Sequence, residues 1–150
     1  MKADKPAKHF LLAFLLALLI YAVSYYGIEH RRTRNGPWQI MFTNGPEGVP
    51  LMVVNQFTLA ITNVQYRFPG AIVTSTNRPS TTRIDFGQPQ PVPYPVPFGR
   101  CIFMDTTFLP GTLTFDLFGH EIELLPRVLI IDHEEHRWRS GEVIALPPKK

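Results

Sequence analysis

Cysteine is all but missing from this chain: Cys101 is the only one among 150 residues. No intramolecular disulfide can form, so the fold must rest on buried apolar surface. Ile102 and Phe103 beside it read as core, and no activating base stands nearby, which makes Cys101 a buried thiol and not a nucleophile. Catalytic fingerprints are missing too. There is no P-loop and no G-x-G-x-x-G, and Ser140-Gly141 lacks the G-x-S-x-G elbow of a hydrolase. Helical periodicity is absent after residue 36. A surplus of positive charge is absent there as well. Residues 37–150 carry nine Lys or Arg against ten acidic residues, whereas residues 1–36 carry six against Asp4 and Glu29. The net +3 therefore belongs to the N-terminal segment, and the remainder lacks the basic patch of a nucleic-acid-binding domain. No nucleic-acid partner and no cofactor are expected.

Phe10 to Ile28 reads FLLAFLLALLIYAVSYYGI, nineteen residues without a charge. As a helix it spans roughly 28 Å, about the thickness of a bilayer's hydrocarbon core. Tyr21, Tyr25 and Tyr26 gather at its far end, where amphipathic rings favour the headgroup region. Lys2, Lys5 and Lys8 precede the run, and His30, Arg31, Arg32 and Arg34 follow it. These basic residues suit anionic lipid headgroups. The expectation is an uncleaved signal anchor that partners the bilayer through residues 10–28. The alternative is a signal peptide cut near Ser24, after the small-residue stretch Ala22-Val23-Ser24. Lys and Arg are tied at three per flank, so counting does not orient the span. Exporting a short tail of three lysines and a free amine is unfavourable, which places the C-terminal domain on the extracytoplasmic side.

The expected organisation is a basic tail (1–9), a transmembrane helix (10–28), a basic juxtamembrane linker (29–36), a β-domain (37–146) and a polar tail (147–150). Period-two patterning begins at Trp38, Ile40 and Phe42, and Asn44-Gly45-Pro46-Glu47-Gly48 makes a turn. Leu51 to Val54 reads as a strand buried on both faces. Phe57, Leu59 and Ile61 share one face, and Val64, Tyr66 and Phe68 the next. The switch of parity at Thr62-Asn63 demands an extra residue, a bulge or a tight turn. Ala71 to Thr74 is a candidate to pair back, Ser75 to Thr81 a polar loop, and Thr82 to Phe86 a half-buried strand. Between Gln88 and Pro97 proline recurs at every second position, which predicts extended polyproline II bridging the sheets or lying along an edge. Further strands follow at Arg100 to Met104, at Thr112 to Phe118 with Leu113, Phe115 and Leu117 facing in, and after a bend at Gly119, where Ile122 and Leu124 alternate with Glu121 and Glu123. Val128 to Ile131 is expected to be central, and Asp132 to Glu135 a hairpin turn into His136–Arg139. The fold class is all-β, a β-sandwich or jelly-roll-like domain following one transmembrane helix.

Three functional readings follow. The leading one is a non-catalytic accessory or protein-interaction subunit held at the membrane, with Tyr94, Phe98 and Trp138 as candidate partner contacts. Aromatic side chains in or beside a proline run can dock in a partner's groove, although a rigid crossing between sheets explains the same run. The second is a metal-handling domain using His120, His133 and His136 with nearby glutamates, because zinc and copper take imidazole and carboxylate ligands. Against it, His133 and His136 flank an expected turn where charged groups simply meet water. Glu121 with Glu123, read as an acid–base pair, also match the ordinary outer face of a half-buried strand. The third is a hydrolase whose site only folding assembles.

Overall fold

A computed structural model describes residues 6–73 and 81–149. The chain divides into two compact units between Arg34 and Asn35. Most of the polar loop expected at 75–81, together with Thr74, Lys2, Lys5 and Lys150, lies outside the described residues.

The first unit is one helix, α1 (Pro6–Thr33), extending beyond the apolar run at both ends. Its apolar side chains are exposed within the unit, and it is long and apolar enough to cross a membrane. The last turn carries His30, Arg31 and Arg32, which complement the partial negative charge of a helix C-terminus.

Among the described residues the second unit has eleven strands in two sheets. The strands are β1 (Gln39–Asn44), β2 (Pro50–Gln56), β3 (Ile61–Arg67), β4 (Thr82–Asp85), β5 (Tyr94–Val96) and β6 (Gly99–Asp105). They continue with β7 (Thr112–Leu117), β8 (His120–Leu124), β9 (Leu129–Ile131), β10 (Glu134–His136) and β11 (Val143–Ala145). One sheet runs β11-β3-β2-β1-β4 and the other β10-β9-β8-β7-β6-β5. All pairings are antiparallel except that of β11 with β3.

Alternating apolar residues of both sheets meet in one core. Trp38, Ile40 and Phe42 from the β1 segment join Leu113, Phe115 and Leu117 of β7 and Ile122 and Leu124 of β8. The Phe115 ring lies edge-on to Phe42 and Phe86, with centroids 6.2 and 5.6 Å apart. Such pairs add roughly 0.5–1.5 kcal/mol beyond their buried area. A domain without disulfides is thus held by its aromatic interior.

Several expectations need correction. Phe57–Leu59 is a 3₁₀ turn and not a strand: the Gln56 side chain accepts from Thr58 N, and Ala60 takes a left-handed φ of 57°. The parity switch is an extra residue on β3, where Val54 opposes Val64 but Gln56 opposes Ile61. Asn63 there has φ 54°, and its N–H donates to Asn55 Oδ1. Ala71–Val73 forms no strand. Tyr94-Pro95-Val96 lies along an edge, one of the two expected arrangements, but as a strand paired with β6 and not as polyproline II; proline is allowed there because an edge has one unpaired side. β9 is second from the edge, not central. The β9–β10 turn is confined to Asp132-His133, with Glu134 and Glu135 already in β10, and Arg137–Arg139 lies outside any strand.

Two ends of this domain can be distinguished. Trp38 Nε1 donates to Gly111 O, so the start of β1 and the start of β7 share one end with Asn35. At the other end, Lys149 N donates to Phe118 O and the Phe68 and Phe118 rings lie 5.0 Å apart.

Candidate metal centre

The end away from Asn35 is closed by two tight hairpins of the six-stranded sheet. Phe118-Gly119 links β7 to β8, with φ values of 52° and 82°. Asp132-His133 links β9 to β10, with φ values of 53° and 69°. A two-residue hairpin of this hand needs positive φ at both positions, which suits Asn or Gly. Asp and His adopt it at some cost, so side-chain contacts must help to hold this turn.

Strand alternation sends His120, Ile122 and Leu124 inward and leaves Glu121 and Glu123 on the outer face. Glu121 N donates to Asp132 Oδ1, and Asp132 N donates to Glu121 O, which fixes the second hairpin beside β8. His133 is thereby carried to the same outer face, its Nδ1 4.0 Å from Glu121 Oε1. One ligand atom each from Glu121, Glu123 and His133 lies within 4.8 Å of the others. Ligands about 2.0–2.1 Å from a tetrahedral metal stand roughly 3.3 Å apart. Rotation of partly exposed side chains covers that difference. On β7, Asp116 opposes Glu121 but is occupied by Arg100 at 3.0 Å. The two glutamates and the imidazole therefore remain to face a cation.

His120 does something else. Its ring is 5 % exposed, with Nδ1 2.7 Å from Asp132 Oδ2 and Nε2 2.7 Å from Pro147 O. A carbonyl only accepts, so the Nε2 side must carry hydrogen. Lys149 Nζ reaches the same Asp132 oxygen at 2.7 Å. Partial burial pushes the Asp132 carboxyl up, but the Lys149 ammonium, His120 and the Glu121 N–H together outweigh it and hold the acid down at about 2. Residues 147–149 are thus tied to the hairpins and are not a loose tail. His136 stands exposed on β10, outside the Glu121–Glu123–His133 group.

The candidate partner contacts are engaged with the core. Phe98 is buried, its ring stacked on Phe118 at 5.8 Å and edge-on to Phe42 at 5.9 Å. Tyr94 is half-buried opposite Cys101, and desolvation raises both its hydroxyl and the Cys101 thiol. Trp138 packs inward on Trp38 at 5.4 Å and donates from Nε1 to Leu125 O. Along α1, the Tyr21 and Tyr25 rings stack at 6.2 Å, Arg31 is exposed, Arg32 pairs with Glu29 at 2.7 Å, and Tyr26 stacks on His30. Arg34 follows the helix.

Sequence reasoning had Glu121 and Glu123 as one pair on one face, and the i, i+2 spacing was the available signal. It missed the ties of Asp132, Pro147 and Lys149, because nothing local brings residue 147 to residue 120. Comparisons with protein-family models, with curated proteins and with solved structures gave no match to this chain.

Proposed function

We propose that this protein is a single-pass, membrane-anchored, sandwich-like β-domain that binds a divalent transition metal, zinc or copper, on its outer face. The observation that carries the reading is the convergence of Glu121, Glu123 and His133 within 4.8 Å. Imidazole with two carboxylates is a donor set suited to zinc, and three protein ligands leave a position open for water or a transferred ligand. Of the three histidines expected from sequence, His133 is the ligand in this reading. His120 already has both nitrogens engaged, and His136 stands apart.

The anchoring half rests on α1, with residues 10–28 in the bilayer and the basic flanks at its surfaces. The domain is assigned to the extracytoplasmic side because the lysine-bearing N-terminal tail is the harder one to export. A handling or accessory role is favoured over catalysis. Two surface depressions, one around Gly45, Glu47 and Arg67 and one around Trp38, Arg83 and Asp85, lie apart from the Glu121–Glu123–His133 group, which stands on an outer strand face.

The test is calorimetry of the full chain in detergent with zinc and copper chloride. Glu121→Gln and His133→Ala should each weaken binding at least tenfold, and His136→Ala should leave it unchanged. A heat trace untouched by the first two variants rules the site out.

A further inference from the structure

The end of the domain at Asn35 combines exposed aromatics with arginines. Five loops meet there, stitched by side-chain bonds. Thr58 Oγ1 donates to Asn35 O at 2.8 Å, and Asn35 Nδ2 donates to Leu109 O at 3.4 Å. Ser140 Oγ donates to Ala60 O, and Trp138, stacked on Trp38, donates to Leu125 O. Phe57 and Phe108 are the direct neighbours of Thr58 and Leu109, and they are 61 % and 58 % exposed. Nothing in the core uses them. Arg127 follows the Leu125 turn, and Arg137 and Arg139 flank the inward-facing Trp138, so all three guanidiniums are left in solvent. Of the carboxylates at this end, Asp85 and Asp105 each accept from a backbone N–H two residues on, Gly87 and Thr107, and Glu142 is half-buried in the turn that begins at Arg139.

We infer that this end of the domain is a second membrane contact, in which Phe57 and Phe108 enter the headgroup region of an anionic leaflet while Arg127, Arg137 and Arg139 bind lipid phosphates. The inference rests on the anchoring half of the proposed function and is independent of the metal. Its occupant follows from chain continuity and charge. The apolar run of α1 ends at Ile28, and Glu29–Thr33 continue the helix for roughly 7 Å, about the depth of one headgroup layer. Asn35 comes two residues later, so the length of chain keeps the loops bonded to it within reach of the lipid surface. Aromatic rings favour that layer, and basic side chains there are drawn to anionic headgroups. A protein partner would not require the aromatics to be tied to the residue next to the anchor.

Nitroxide labels on the full chain in vesicles test this. Cys101→Ser clears the background, and serine can keep the bond that the Cys101 thiol gives to Phe103 O. Labels then replace Phe57 or Phe108, with Leu16→Cys in the apolar run as anchor control and Glu47→Cys, in the turn at the opposite end of β1, as solvent control. In vesicles containing one-quarter phosphatidylglycerol, labels at 57 and 108 should collide several-fold more with oxygen, relative to a water-soluble nickel chelate, than the label at 47. Replacing Arg127, Arg137 and Arg139 with Glu should bring that ratio down towards the solvent value. If 57 and 108 read as water while 16 reads as hydrocarbon, the domain contact is wrong and the anchor stands. If 16 also reads as water, the anchor is wrong and the contact falls with it. A melting curve for each labelled chain confirms folding, and both replaced phenylalanines are exposed.

Discussion

The two ends of the β-domain are closed in opposite ways. At the Asn35 end the bonds run through tryptophan and amide groups: Trp38 to Gly111, Trp138 to Leu125, Asn35 to Leu109. Apart from Asp85 and Asp105, each accepting from a backbone N–H, little there depends on charge. At the far end the closure is ionic, with Asp132 receiving the His120 ring, the Lys149 ammonium and the Glu121 amide. An aromatic closure should be indifferent to acid, and a carboxylate-centred one should not. The same fold therefore contains one end fixed by packing and one end that answers to protons and cations.

The largest blow to the contrast is Trp38→Ala. It removes a side chain 1 % exposed, its stacking on Trp138 and its bond to Gly111. Burial of this kind is worth roughly 3–5 kcal/mol, so the urea midpoint of the full chain in detergent should collapse, by the same amount relative to the parent chain at pH 3 as at pH 7. His120→Ala should cost about 1–3 kcal/mol, since it leaves the Pro147 carbonyl without the imidazole and takes one of three donors from Asp132. Hydrogen exchange at Lys149 N, bonded to Phe118 O, should quicken in that variant while the Asn35 end stays protected. Uniform exchange along the chain would contradict a localised latch.

Acid sharpens the comparison next. Asp132 is held at about 2 in the folded chain against an ordinary 3.8. A depressed carboxylate stabilises the fold above the unfolded pKa, and that contribution fades as pH falls from about 4 through about 2. After allowance for its partial exposure, the effect is on the order of 1–2 kcal/mol. Stability of Asp132→Asn should be lower at pH 7 and flatter across that window; an unchanged slope would remove Asp132 from the account. The smallest effect has the opposite sign. His133→Gly relieves a positive φ of 69° and should raise stability by about 0.5–1 kcal/mol while abolishing metal binding. A variant more stable but deaf to zinc would separate the needs of the turn from those of the site.

How much of this was legible in the sequence depends on distance along the chain. Alternation placed Trp38, Ile40, Phe42, Leu113, Phe115, Leu117, Ile122 and Leu124 inside, and the structure buries all eight. The parity break at Thr62-Asn63 was visible because two apolar faces cannot share one register. Phe57 and Leu59 misled because a 3₁₀ turn held by the Gln56 side chain exposes apolar residues at the same spacing as a strand. At the site, the Glu121–Glu123 pairing was readable and His133 was a named candidate. Their convergence was not, because it needs β9 to carry its turn back beside β8. His120 looked like a ligand only until the tail at Pro147 was known to fill its second nitrogen.

The parallel pairing of β11 with β3 has a consequence for biosynthesis. Val143–Ala145 come from the last few residues of the chain, yet they lie against Gln65–Arg67, nearly eighty residues earlier. The five-stranded sheet therefore has one edge missing until residues 143–145 have left the ribosome. Contacts so distant in sequence form late and slowly. An apolar helix made before the domain is thus followed by a sheet that cannot close until residue 145 has been added.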